Sequence, residues 1–262
     1  MAILRDGQEN YGRIFVAELF GTAVLMLGGL GLAILAGASP AMVAVGFGLT
    51  LMILVYILGP ISGAHVNPAV TLGMLLTKKI TPRWAVTAWI AQFVGGALGA
   101  AIIWGIAQGR EPFVRGNFGS NGWNRVADTT TIYSGIGAVM IIEVVLTALL
   151  VMVMLFAAAR RFAPSMVGVV AGSTMLVGYL LSQPIDGGAM NPARSLGAAL
   201  FAQSQYDALK QVWLFIVFPL IGAVVGTVLW LVLDEARLED TYLAEVPGAT
   251  VVRDALDGDP TT

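Results

Sequence analysis

Two decapeptides in this chain carry the residues best placed to do chemistry. Pro60-Ile61-Ser62-Gly63-Ala64-His65-Val66-Asn67-Pro68-Ala69 and Pro184-Ile185-Asp186-Gly187-Gly188-Ala189-Met190-Asn191-Pro192-Ala193 share the pattern P-I-x-G-x-x-x-N-P-A, 124 residues apart. Each ends on an asparagine, whose side-chain amide offers two N–H donors and one acceptor oxygen without carrying charge. A permanent cation, Arg194, follows the second copy, and the only histidine, His65, lies inside the first. Such a set binds and orients small polar molecules. It lacks the parts for covalent or metal chemistry: there is no cysteine, and no H-E-x-x-H pair of metal ligands.

The elements that position these residues belong to a membrane. Of the 262 residues, 57% are hydrophobic and 11% charged, against about 25% charged in a soluble domain. With a mean hydropathy of +0.83 the chain cannot cover a water-facing surface. A net charge of −2 argues against nucleic acid as a partner. A helical span needs about 20 apolar residues. Six segments qualify: Ile14–Ala36, Ala41–Gly59, Ala85–Gly105, Gly135–Ala158, Met166–Leu181 and Val212–Leu233. Gly59-Pro60 and Gln183-Pro184 read as stops of the second and fifth. The first is too long for a cleaved signal. Lys78, Lys79 and Arg83 follow the second span, and Arg160 and Arg161 follow the fourth, while Arg110, Arg115 and Arg125 are diluted over the long 109–134 connection. This bias places both termini in the cytoplasm. The stretch 234–262, with eight acids and two arginines, reads as a poorly ordered acidic cytoplasmic tail.

Further matches keep the register of the decapeptides. Glu18-x-x-x-Thr22 pairs with Glu143-x-x-x-Thr147, and Gly95-x-x-x-Gly99 with Gly222-x-x-x-Gly226. The chain is therefore a tandem duplication within a single membrane domain, one repeat covering about 12–108 and the other about 135–233. Three spans per repeat make the second half enter from the opposite face, an inverted repeat. After each Asn-Pro-Ala, Asn67–Leu76 and Asn191–Phe201 are apolar and free of internal proline. Ten helical residues reach about 15 Å, half of a bilayer core. Asparagine is a good N-cap and proline suits the first helical position. These segments read as re-entrant half-helices that meet tip to tip at the midplane. The expected fold is all-α, with six transmembrane helices and two re-entrant half-helices.

The paired Asn-Pro-Ala motifs, the E-x-x-x-T starts and Arg194 resemble the aquaporins, the major intrinsic protein family, over roughly residues 12–233. The resemblance implies a homotetramer in a plasma or inner membrane, with one pore per subunit conducting water or small neutral solutes and no cofactor. It implies pore motifs at Asn67, Pro68, Ala69, Asn191, Pro192 and Ala193. Carbonyls of the extended stretches Gly63, Ala64, His65, Val66 and Gly187, Gly188, Ala189, Met190 would line the pore. Phe47, Tyr179, Gly188 and Arg194 would form the outer constriction. Leu51 and Met175 fit pore walls and core packing equally well. Tyr179 stands where water-selective members carry histidine, and Ile216 where a tryptophan is usual. Ser195, Ala199 and Phe215 follow the water-channel pattern, so water is expected, with glycerol or another small neutral solute as the alternative.

The ionisable groups inside the spans have two readings. Glu18 and Glu143 could relay protons, but their repeat-related placement favours braces that accept N–H bonds from their own re-entrant loops. His65 could sense pH, or pack beside the pore with its carbonyl in the ladder, which is the favoured reading. A secondary transporter would share inverted repeats and broken helices, yet it needs an intramembrane coupling-ion site beyond those two carboxylates.

Overall fold

The computed structural model describes residues 10–110, 116–123, 135–159, 162–204 and 207–234. Its helices run α1 Tyr11–Leu35, α2 Pro40–Ser62, α3 Pro68–Leu76, α4 Pro82–Ala107, α5 Ile136–Ala157, α6 Pro164–Asp186, α7 Pro192–Ala199, the single turn α8 Ala208–Gln211, and α9 Leu214–Leu233. No strand occurs among the described residues. Six of the helices are long and apolar enough to cross a bilayer. Arg115, Arg125, Arg160, Arg161 and the tail beyond Asp234 lie outside the described residues.

The helix starts follow local chemistry. Ser39 and Thr81 accept from the backbone N–H of Met42 and Trp84, each followed by a proline at the first helical position. Proline has no N–H to leave unsatisfied there, and its fixed φ suits the turn. The ends of α2 and α6 differ from the expected stops. Both helices continue through Pro60 and Pro184 and close three residues later, at Gly63 (φ 81°) and Gly187 (φ 88°). The Gly63 N–H donates back to Gly59 O at 2.9 Å and the Gly187 N–H to Gln183 O at 3.2 Å. A left-handed glycine ends a helix by satisfying its last carbonyls. A proline one turn earlier removes only one bond, which a buried membrane helix tolerates.

Packing is set by small residues. A Cβ on Gly95 or Gly99 would run into the backbone of Leu19 or Ala23, and one on Gly222 or Gly226 into Val144 or Ala148. The repeat-related glycines thus let α4 lie against α1, and α9 against α5. Between the repeats, α2 and α6 cross where Gly48 and Gly172 each face the other's carbonyl oxygen. Each half-helix packs against the last long helix of the opposite half: α3 on α9, and α7 on α4.

The polarity is that of a protein dissolved in lipid. Val16, Ile141 and Val232 are 64%, 67% and 74% exposed, while Glu18, Glu143 and Asn191 are fully buried. Apolar side chains face outward along the long helices, and the charged and amide groups gather inside.

Candidate functional site at the meeting of two half-helices

Asn67 and Asn191 sit at the N-termini of α3 and α7 with extended backbone. Asn67 Oδ1 accepts from the Ala69 N–H at 2.9 Å. Asn191 Oδ1 accepts from the N–H groups of Ala193 (3.0 Å) and Arg194 (3.2 Å). Because each oxygen is held by its own helix, each amide nitrogen must point away from it. Asn67 Nδ2 donates to the Met190 carbonyl and Asn191 Nδ2 to the Val66 carbonyl, both at 2.8 Å. The half-helix tips are therefore cross-linked. An amide nitrogen carries two hydrogens and these bonds use one of each pair.

The stretches leading into the asparagines are not simply extended. Gly63, Ala64 and Val66 have φ of 81°, 50° and 43°, and Gly187, Gly188 and Met190 have 88°, 74° and 53°. Left-handed backbone costs a non-glycine residue about 1–2 kcal/mol, so Ala64, Val66 and Met190 need support from outside. In the first stretch Glu18 supplies it. Its Oε1 accepts from Ser62 Oγ (2.6 Å) and the His65 N–H (3.0 Å), and its Oε2 from the Val66 N–H (2.7 Å) and Gln92 Nε2 (2.8 Å). In the second stretch, Glu143 Oε2 accepts from the Met190 N–H at 3.0 Å. The His65 ring lies 3.2 Å from Thr71 Oγ1 and tilts against Trp84 with ring centroids 4.6 Å apart.

Of the carbonyls expected to form the ladder, four take bonds from side chains. Val66 and Met190 accept from the two asparagines, Gly188 from Asn121 Nδ2 (2.8 Å) and Ala189 from the Tyr179 hydroxyl (3.3 Å). A carbonyl oxygen has a second lone pair, so these bonds fix its direction and leave acceptor capacity.

Phe47 on α2 and Tyr179 on α6 stack, with ring centroids 4.1 Å apart and planes 16° from parallel. The Arg194 guanidinium carbon lies 5.5 Å from the Phe47 ring and 6.0 Å from the Tyr179 ring. Cations are attracted to ring faces at such distances. Gly188 stands beside them, and a Cβ there would come within 2.6 Å of the Tyr179 ring. The space that the missing side chain frees is thus occupied by the tyrosine. Leu51 and Met175 are buried in the main apolar core. Phe215 packs with Val139, Ala189 and Leu214 behind the second stretch. Ser195 and Ala199 are buried on α7, and Ile216 is half-buried.

Asn121, from the connection between α4 and α5, escaped the sequence reading. Its Oδ1 accepts from Arg194 Nη1 and from Ser195 Oγ, and its Nδ2 donates to the carbonyls of Gly188 and Asp186. One side chain thereby ties the arginine to the second stretch. In the sequence it is a polar residue in a long polar connection, with no copy in the other repeat to draw attention to it.

Comparison with known proteins bears on most of the chain. A family model described as major intrinsic protein matches residues 8–230. A Brucella melitensis protein named Aquaporin Z is 41% identical over 224 residues, covering 82% of this chain and 94% of that one. The Aquaporin Z of Photorhabdus laumondii is 36% identical over 222 residues, with the same coverage of 82% and 94%. Among solved structures, the aquaglyceroporin from Plasmodium falciparum superposes with a TM-score of 0.72 at 22% identity, covering 84% of this chain and 96% of that one. That likeness speaks to the fold alone.

Proposed function

The chain belongs to the major intrinsic protein family, and on that footing we propose that it is a passive, multi-pass membrane channel for water that excludes ions and protons. The observation that carries this reading is the cross-linked pair of asparagines at the tips of α3 and α7.

Two half-helices aim their N-termini at one point. Each terminus is equivalent to roughly +0.5 elementary charge, and together they oppose a cation where water screens least. The second hydrogen of each asparagine amide is the donor for a passing molecule. A water that accepts from both asparagines turns its own hydrogens outward to its neighbours. That orientation breaks the donor–acceptor order along which a proton would hop. Carbonyls fixed by Asn121, Tyr179 and the asparagines accept from the waters on either side.

At the outer constriction, Arg194 is a permanent cation that both donates to water and repels cations. The stacked Phe47 and Tyr179 narrow the passage on one side, and the Tyr179 ring fills the place that Gly188 leaves open. A narrow opening favours water over glycerol. The names of the two relatives point the same way.

The protein is a transporter of the channel type, not an enzyme. The family resemblance supports a homotetramer with one pore per subunit, in a plasma or inner membrane. The charges between α3 and the first turn of α4, Lys78, Lys79 and Arg83, support cytoplasmic termini. Glu18 and Glu143 act as braces of the two stretches and His65 as a packed residue of the first.

Stopped-flow light scattering of proteoliposomes under parallel water and glycerol gradients tests the proposal. Fast osmotic shrinkage with slow glycerol re-entry is expected. Equally fast glycerol entry would replace water selectivity with a channel for small neutral solutes. A proton leak seen with an enclosed pH dye would reject the orientation mechanism.

A further inference from the structure

The duplication provides an internal control for each half of the site. In repeat register, Glu18 corresponds to Glu143, Ser62 to Asp186, and Gln92 to Pro219. Glu18 receives four donors: the Ser62 hydroxyl, the Gln92 amide and two backbone N–H groups. The second half has changed two of these. Pro219 has no side-chain donor, and a carboxyl group stands in place of the serine hydroxyl. Glu143 keeps the Met190 N–H, and its Oε1 meets no protein N–H or O–H among the described residues.

Asp186 shares the second stretch with Glu143: Glu143 accepts from the Met190 N–H and Asp186 from the Gly188 N–H, two residues apart. Both side chains are fully buried. Two ionised carboxylates accept hydrogen bonds and donate none, so neither can serve the other unless one carries a proton. Without it, two buried anions would face each other with one cation in reach. The charged or titratable groups around the pair are few: Arg194 on α7, tied through Asn121 to the Gly188 and Asp186 carbonyls, and Tyr179 on α6, whose hydroxyl donates to the Ala189 carbonyl. Tyr56 on α2 bonds the Ser165 carbonyl at the other end of α6. Neither α9 nor α3, which pack on α5, contains one. One shared proton leaves the pair with a single negative charge, which Arg194 balances.

We infer that Asp186 and Glu143 share one proton, and that through this pair Asp186 positions the outer constriction. The Asp186 Oδ1 accepts from the Gly188 N–H at 2.8 Å. Its carbonyl accepts from the Gly122 N–H and from Asn121 Nδ2, and Asn121 in turn holds Arg194. The proton does for the second stretch what the Ser62 hydroxyl does for the first. Its loss drives Asp186 away from Glu143 and carries Gly188 with it. The positioning role rests on the channel reading; the shared proton does not.

Infrared spectroscopy of the reconstituted protein, with carbon-13-labelled carboxyl groups, tests the proton directly. A protonated-carboxyl C=O stretch is expected at neutral pH, lost in both Asp186→Asn and Glu143→Gln and retained in Glu18→Gln. Absence of the band from the wild type, or its persistence in either of the first two variants, overturns the shared proton. Water and glycerol permeabilities test the positioning. Asp186→Ala lowers their ratio several-fold, and Asp186→Asn, which restores an N–H donor toward Glu143, recovers part of the loss. As the pH is raised, band and ratio change together or neither changes. A wild-type ratio in Asp186→Ala, or a change in one readout without the other, overturns the positioning role. Water conduction at neutral pH is measured separately, so its failure is distinguishable from either result.

Discussion

Asn191 spends its side-chain oxygen on its own half-helix and its side-chain nitrogen on the other half of the molecule, 2.8 Å from the Val66 carbonyl. Capping and cross-linking are done by one amide. Asn191→Ala removes both. A lost cap costs about 1 kcal/mol, and a buried carbonyl left without its donor costs about 1–3 kcal/mol. Unfolding in mild detergent should place the variant about 2–4 kcal/mol below the wild type. A variant as stable as the wild type would show that the cross-link contributes nothing.

Glu18 holds a left-handed stretch through both of its oxygens. In Glu18→Gln one oxygen becomes an NH₂ group, and at least one buried N–H loses its acceptor. Hydrogen bonds to a charged group contribute about 1.5–3 kcal/mol, so the yield of folded protein should fall. The molecules that do fold should keep water flux without proton current. A proton relay predicts the reverse, normal folding with altered proton movement, and a pH-dye assay on purified folded variant distinguishes the two.

Gly96 lies where α4 meets α7, and a Cβ there would run into the Ala193 carbonyl. Gly96→Ala must push the half-helix away from its seat, an overpacking cost of about 1–3 kcal/mol. Gly105, on the same helix, has open space around it. Gly105→Ala should therefore stabilise by up to about 1 kcal/mol through helix propensity. Thermal unfolding of the two variants side by side should move in opposite directions; equal losses would refute the close-packing argument.

Gly188 and Tyr179 occupy one space. Alanine at position 188 meets the tyrosine ring and must also adopt a φ of 74°. Gly188→Ala should destabilise strongly in the wild type and less in a Tyr179→Ala background, where only the backbone strain of about 1–2 kcal/mol persists. A double-mutant cycle measures that coupling, and additive effects would separate the two residues. The double variant should also admit glycerol faster than the wild type.

Much of the fold was legible because its signals are local. Apolar length marks the six spans, and Asn-Pro or Ser/Thr-Pro marks helix starts. Duplication then singled out Asn67, Asn191, Glu18 and Glu143 by printing each motif twice. The helix ends were less legible. Pro60 and Pro184 have the local chemistry of a stop, yet the left-handed glycines at 63 and 187 close the helices three residues later. Residues without a copy were the hardest to see. Asn121 belongs to a connection with no counterpart in the other repeat. Asp186 occupies one of the four variable positions of the decapeptide, and only tertiary packing brings it to the stretch that Glu143, 43 residues earlier and on another helix, also holds.

Tethering each tip to the opposite loop has a mechanical consequence. Neither tip can swing aside without parting bonds that belong to both repeats, so the waist of the molecule behaves as a fixed aperture. A valve in such a tube has to sit at a rim.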